Sequence, residues 1–262
     1  MDSPRLDAQV LLAHVLDCDK VSLYTQFDKP LGTSELASYR GLIKQRLTGV
    51  PVAYLIGKKE FYSHEFVVDS RVLIPRPDTE ILVDRALDVI KQENVKSILE
   101  LCTGSGAVSI VLALNTNVEK IVASDVCEEA LNVAKINRDQ FSLEARIDCV
   151  LSDLWEHIPK DVKFDLIVCN PPYIPTEDIE RCSKEVRKEP NKALDGGVDG
   201  LDFYRRIFAQ CSDYIQAGGR LLLEHGEGQR ESIESLIPGS GGHFVEAYKD
   251  LAGLERTLEI KF

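Results

Sequence analysis

Four consecutive residues of this 262-residue chain combine types that could do chemistry: Asn170-Pro171-Pro172-Tyr173. They follow directly on FDLIVC, a short apolar run that reads as a buried strand. Two prolines fix the backbone and free neighbouring carbonyls from ladder duty. At the carboxyl end of a strand, where open α/β sheets bind ligands, the Asn170 oxygen and the Pro171 carbonyl offer two acceptors to one NH2 group. A planar amino or amide nitrogen has a delocalised lone pair. Two acceptors holding its hydrogens can aim it at an electrophile and favour the pyramidal nitrogen that attacks. Tyr173 could stack on the flat group that carries it.

A second constellation lies upstream. The strand Ser97–Leu101 runs into Cys102-Thr103-Gly104-Ser105-Gly106 and then the helix AVSIVLALN. A glycine-rich turn there lets a ligand approach the backbone, with helix N-terminal amides pointing at it. The third glycine of the dinucleotide fingerprint is missing, since Ser109 takes its place. Asp125 ends the next strand, 19 residues after Gly106. An acid there can accept both hydroxyls of a ribose, or simply cap the helix EEALNVAKIN. Glu100 could meet a ligand ammonium or sit solvated at the strand tip. A dinucleotide and S-adenosylmethionine both fit a ribose-binding first crossover. The Asn-Pro-Pro-Tyr corner decides for the methyl donor.

Such residues need a sheet to position them. From residue 97 strands and helices alternate, with candidate strands at 97–101, 120–124, 145–150, 164–169, 220–224, 244–248 and 256–260. Alternation of this kind means a mostly parallel sheet covered on both faces. Residues 249–255 are too few for a helical crossover, so the last two strands should be antiparallel neighbours. The expected fold is α/β, a seven-stranded Rossmann-like sheet of the class I methyltransferase kind with an antiparallel last strand.

Residues 1–50 read as helical, with one stripe at Leu12, Val15 and Leu16 and another at Leu36, Tyr39, Ile43 and Leu47. Ser34 could cap the second helix, and Gly49 with Pro51 stops it. Residues 57–75 change to a hairpin pattern broken at Ser63-His64 and Asp69-Ser70. Asp78 or Thr79 can cap a helix that buries Val83, Ala86, Leu87 and Ile90. The division expected is a helical N-terminal domain over 1–56, a β-hairpin linker over 57–76 and a catalytic domain over 77–262.

Composition excludes several other chemistries. Lys and Arg total 31 against 43 Asp and Glu, a net charge of −12, which does not invite non-specific binding to a phosphate backbone. No apolar run approaches the roughly 18 residues a membrane span needs. The first residues, MDSPRLDAQV, resemble neither a signal nor a transit peptide, so a cytoplasmic protein is expected. The seven cysteines form no C-x-x-C pair and no zinc-site spacing, and read as small hydrophobes in a reducing compartment. The chain has no H-E-x-x-H, G-x-S-x-G or Walker A sequence.

The Asn-Pro-Pro-Tyr string is similar to the motif of amino methyltransferases that act on adenine, guanine or glutamine amides. Three further segments narrow the choice. LIPRPDTE at 73–80 resembles the signature preceding the catalytic domain of the HemK/PrmC family, the peptide chain release factor glutamine methyltransferases. Glu189-Pro190, Ala193-Leu194-Asp195-Gly196-Gly197 and Asp199-Gly200-Leu201 resemble that family's segment after the corner, and Lys249-Asp250-Leu251-Ala252-Gly253 its final hairpin. With the helical N-terminus, the resemblance covers nearly the whole chain.

The resemblance implies methyl transfer from S-adenosylmethionine to the side-chain amide nitrogen of the glutamine in the Gly-Gly-Gln motif of class I release factors. S-adenosylhomocysteine is the product, and no metal is needed. By the same resemblance, Cys102, Thr103, Gly104, Ser105 and Gly106 hold the methionine part of the cofactor and Asp125 binds the ribose; Glu100, from its place at the strand end, and Asn170 are further candidate cofactor contacts. Asp153, Leu154 and the neighbouring Trp155 flank the adenine. Asn170, Pro171, Pro172 and Tyr173 grip the substrate amide, with Arg76 and Pro77 at the pocket's border. Many relatives have a glycine in place of Cys102, and family members usually carry an earlier helix, so a short docking domain is expected. A monomer is expected, with no membrane or direct nucleic-acid partner. Two rivals remain: an adenine or guanine amino methyltransferase acting on nucleic acid, and a non-catalytic partner-binding protein with a vestigial pocket.

Overall fold

The computed structural model describes residues 3–262. Four helices come first: α1 (Pro4–Val15), α2 (Lys20–Thr25), α3 (Thr33–Leu47) and α4 (Val52–Ile56). Pro4 opens α1, where its missing N–H costs nothing. The expected Ser34 cap is not used. Glu35 instead accepts from the Gly32 amide at 2.6 Å, one turn back. Leu47 was expected in the buried stripe of α3 but is 67% exposed. Arg46 takes the inward position and pairs with Asp7 of α1 at 2.7 Å and with Glu185, far along the chain. A buried guanidinium with two carboxylates is satisfied where a lone charge would not be, and its pairing ties α3 to the rest of the molecule.

The hairpin is β1 (Lys58–Phe61) and β2 (His64–Val67). Its turn is Tyr62-Ser63, one residue before the expected break, with φ of 50° and 61°. Two successive left-handed residues are what a two-residue hairpin turn matching strand twist demands. Neither is the usual Asn or Gly, so the residues alone left the break one position off. Glu80 holds it in place by accepting from the Tyr62 amide at 2.9 Å.

The remaining elements are α5 (Thr79–Gln92), β3 (Ser97–Leu101), α6 (Ala107–Asn115), β4 (Lys120–Asp125), α7 (Glu128–Gln140), β5 (Ile147–Leu151), β6 (Phe164–Cys169), α8 (Asp202–Tyr214), β7 (Ile215–Glu224), α9 (Arg230–Glu234), β8 (His243–Lys249) and β9 (Glu255–Lys261). Three short 3₁₀ turns lie between β6 and α8. The strand order is β5-β4-β3-β6-β7-β9-β8. The first five strands run parallel, and β9 is antiparallel to both neighbours. The expected seven-stranded sheet with an antiparallel last strand is present. The insertion of the last strand between β7 and β8 was not foreseen. β7 also starts earlier than expected, because Ala217-Gly218-Gly219 gives no hydrophobic signal.

One sheet face packs α5, α6 and the hairpin residues Phe61 and Phe66. The other packs α8 and α9 with Trp155, Tyr204 and Tyr214. Asn137 of α7 is wholly buried and clips the hairpin to the glycine turn. Its oxygen accepts from the Val67 amide at 2.7 Å, and its nitrogen donates to the carbonyls of Val67 and Ser105 at 3.0 and 2.9 Å. Asn137→Ala strands three backbone groups away from water. It should lower unfolding free energy by roughly 3 kcal/mol in urea denaturation. A loss below about 1 kcal/mol would contradict this role.

Candidate active site

The site begins where the sheet changes direction. β3 and β6 are parallel neighbours, with Leu101 paired to Cys169. From β3 the chain builds β4 and β5 on one side, while β6 and β7 lie on the other. A crevice outside the strand ends is a geometric consequence of that switch. Cys102 and Asn170 stand at its two lips, and Asp125 and residues 152–154 close one flank. Residues 71–73 and Pro190, Lys192 and Ala193 complete the wall. The cleft is open to solvent, and the space between these residues, mouth included, is about 750 Å³.

The glycine turn is tight. Gly106 has φ +79°, and a Cβ there would lie 3.2 Å from the Cβ of Ala134 on α7. Both constraints require glycine. Cys102 has φ +58°, so it carries strain that a glycine would not. Asp125 anchors the turn: one oxygen accepts from the Gly104 amide and the other from the Cys127 amide, both at 2.9 Å. Cys127, not Asp125, is the N-cap residue of α7. Each Asp125 oxygen keeps a further lone pair for a ligand hydroxyl. Burial pushes its carboxyl above the ordinary range, against the pull of those amides.

Glu100 takes neither expected place. It is 4% exposed and lies under the glycine turn, not at a solvated tip and not on the cleft wall. One of its oxygens accepts from the Thr103 hydroxyl at 2.6 Å, the Ser109 amide at 3.1 Å and the Ser109 hydroxyl. Thr103, Ser105 and Gly106 likewise shape the turn from behind the wall.

The Asn-Pro-Pro-Tyr corner is held from outside. The Ile174 amide donates to the Leu194 carbonyl at 3.0 Å, and the Gly196 amide returns to Ile174 at 2.9 Å. The Gln229 side chain donates to the Tyr173 carbonyl at 2.9 Å. A Cβ on Gly200, where φ is +74°, would stand 2.4 Å from that carbonyl oxygen. Gly196, where an added Cβ would stand 2.9 Å from the Pro172 carbonyl oxygen, and Gly200 therefore serve close backbone packing behind the corner. Asn170 and Pro172 line the cleft, and Asn170 donates to the Thr79 hydroxyl at 3.2 Å. Among the described residues no backbone amide donates to the Pro171 carbonyl.

Several expected residues lie elsewhere. The Trp155 ring is in the core, stacked on Tyr214 at 4.7 Å, with its indole N–H donated to the Arg206 carbonyl, so it does not neighbour a ligand in the cleft. The Tyr173 ring packs beneath the corner, its hydroxyl 3.5 Å from Glu224, rather than facing the cleft. Arg76 pairs with Glu189, whose other oxygen accepts from the Ile74 amide at 3.0 Å, so it fastens the rim instead of lining it. Pro77 is exposed outside the cleft. Asp153 sits on the rim, paired to Arg206 at 2.7 Å, and Leu154 is buried against the cleft. Sequence reading passed over Ser152, Lys192 and Phe203 as wall residues, and Thr79 as the partner of Asn170. Pro190 and Ala193 were visible only as part of a resembling segment.

Burial pushes the Glu100 carboxyl up to about 7, outweighing its three donors. A carboxyl that binds its proton more tightly when folded adds stability below its ordinary pKa and loses it as pH rises through the folded value. Glu100→Gln should therefore weaken the fall in stability from about pH 5 to about pH 8, seen as a smaller shift in the urea midpoint. An unchanged shift would mean that Glu100 is charged throughout.

Comparison with known proteins fits this geometry. The PrmC N-terminal domain family matches residues 1–57, and the methyltransferase small domain family matches residues 78–197. The chain is 39% identical over 259 residues to the release factor glutamine methyltransferase of Geobacter sulfurreducens, covering 98% of this chain and 89% of that one. It is 38% identical to that of Bordetella pertussis, covering 97% and 93%. Among solved structures, the hMettl16 catalytic domain superposes with a TM-score of 0.63 at 16% identity, covering 88% of this chain and 93% of that one. A methyltransferase from Pyrococcus furiosus gives 0.54 at 17%, covering 84% and 98%. Those two likenesses concern the fold alone. The near full-length similarity to curated relatives goes further: the chain is an enzyme and belongs to the release factor glutamine methyltransferase family.

Proposed function

We propose that this enzyme transfers a methyl group from S-adenosylmethionine to the side-chain amide nitrogen of the glutamine in the Gly-Gly-Gln motif of class I release factors. It would act in the cytoplasm in support of translation termination. The observation that carries the reading is the placement of Asn170 on the cleft lip opposite the glycine turn, within a chain so similar to release factor glutamine methyltransferases. Among the described residues no helix is long and apolar enough to cross a membrane.

The cleft fits the cofactor. Asp125 has lone pairs to spare for two ribose hydroxyls, and Leu154, Val126 and Ala130 give a wall that is apolar where a purine would lie. The turn at residues 102–106 leaves room at Gly104, where an added Cβ would meet nothing within 4 Å. The sulfonium, when bound, supplies an activated methyl group. The chain's own residues do the rest. The glycine turn and Asp125 would fix the donor's position. The Asn170 oxygen and the Pro171 carbonyl would accept the two amide hydrogens and turn the nitrogen toward the methyl carbon. The proton released passes to a backbone carbonyl or to water. With the substrate seated in the mouth, the wall would keep bulk water from the reacting atoms.

Two substitutions separate binding from transfer. Asn170→Ala should cut methyl transfer to a release factor at least about 100-fold while leaving calorimetric affinity for S-adenosylmethionine within about threefold. Wild-type turnover in that variant would remove Asn170 from the reaction. Asp125→Ala should instead weaken cofactor affinity about 10- to 100-fold, the worth of a charge-assisted hydrogen bond. Unaltered affinity would place the ribose elsewhere.

A further inference from the structure

The sheet supplies only part of the cleft. Residues 71–73 lie between β2 and α5, and Pro190, Lys192 and Ala193 lie between β6 and α8, where the described residues form no strand or α-helix. Irregular chain keeps one position only where its backbone groups and side chains are tied to something rigid. Glu189 joins the two segments to each other, through the Ile74 amide and Arg76. What ties them to the rest of the molecule is a short stretch of the N-terminal helices.

On the first wall, the Tyr54 hydroxyl of α4 donates to the Val72 carbonyl at 2.5 Å. Burial pushes that phenol up, so it stays a donor at neutral pH. Ala53 and Tyr54 also pack on the cluster that holds Val68 and Val72, and Val72 is 1% exposed. On the second wall, Arg46 in the last turn of α3 pairs with Glu185, five residues before Pro190. The guanidinium is already fixed by Asp7 of α1 at 2.7 Å and by the Val50 carbonyl at 3.3 Å. Gly49 sits directly against the neighbouring Lys184. Its φ is +96°, and an added Cβ would lie 3.0 Å from the Lys184 Cβ and 3.3 Å from its carbonyl oxygen. None of Arg46, Gly49, Ala53 and Tyr54 lines the cleft, yet within nine residues they hold both of its irregular walls.

We propose that Arg46, Gly49 and Tyr54 are positioning residues for the cofactor: they hold the two irregular walls at their distance from the glycine turn, so that the N-terminal helices complete the pocket. This rests on the reading above that S-adenosylmethionine fills the cleft, but the hold on the walls can be measured without it.

The test uses Tyr54→Phe, which removes one hydroxyl, and Glu185→Gln, which removes one charge. Each should weaken calorimetric affinity for S-adenosylmethionine roughly 3- to 10-fold, the worth of one hydrogen bond or paired charge. The double variant should lose roughly 10- to 100-fold, because the two act on different walls. With a release factor as substrate, the cost should fall on the KM for the cofactor, with kcat within about twofold of wild type, since the Asn-Pro-Pro-Tyr corner is untouched. Hydrogen exchange without cofactor is the second readout. Amides of residues 71–73 should exchange faster in Tyr54→Phe, and those of residues 185–193 faster in Glu185→Gln. Should Tyr54→Phe not fold, Glu185→Gln carries both readouts, its side chain being 36% exposed. A lowered urea midpoint with wild-type affinity and KM would make these residues merely structural and overturn the proposal, as would unchanged exchange in both walls. Faster exchange in an enzyme whose wild type binds no S-adenosylmethionine overturns the cofactor reading and leaves the hold on the walls standing.

Discussion

A carboxamide has two ends of similar shape and opposite hydrogen-bonding character, and the proposed transfer needs Asn170 to turn its oxygen to the cleft. That constraint explains features that otherwise look unrelated. An NH2 group to be methylated must meet acceptors, and a donor at the lip would repel it. The lip is built from a strand end, so the backbone is fixed by β6 and two prolines. The Asn170 side chain itself meets the Thr79 hydroxyl at the start of α5, 3.2 Å away.

The segment that supplies Thr79 is the hub of the molecule. Within five residues, Arg76 pairs with Glu189, Asp78 with Arg256 at 3.3 Å, Thr79 with Asn170, and Glu80 with the hairpin turn. Each side chain reaches a different element, so the string tolerates few exchanges and is highly specific as a signature. Arg46 plays the matching part for the N-terminal helices by reaching Glu185 in the loop after the corner. The loop that roofs the cleft is thus fastened twice by guanidinium–carboxylate pairs, from Arg46 and from Arg76.

Much of this was legible in the residues. The strands at 97–101 and 164–169 were placed to the residue, because each is a short run rich in Ile, Leu or Val that leads straight into the glycine turn or the proline corner. The glycine turn, Asp125 and the corner were found because their chemistry sits in short, local strings. What stayed hidden depends on partners far away in sequence. Thr79 meets Asn170 across 91 residues, and Arg76 meets Glu189 across 113. Glu100 is the plainest failure. An acid at a strand tip reads as solvated, and only the folded turn reveals three donors converging on it. Trp155 failed for the converse reason. Adjacency to Leu154 suggested a shared pocket, but Leu154 has φ +50°, and the next ring enters the core.

The central claim is that the corner presents a protein glutamine amide, not a nucleobase, to the methyl donor. Mass spectrometry of a release factor incubated with this enzyme and S-adenosylmethionine tests it most directly. The account predicts one added methyl group, localised by fragmentation to the glutamine of the Gly-Gly-Gln motif. An unmodified release factor, with methyl groups appearing instead on protein-free DNA or RNA, would contradict it.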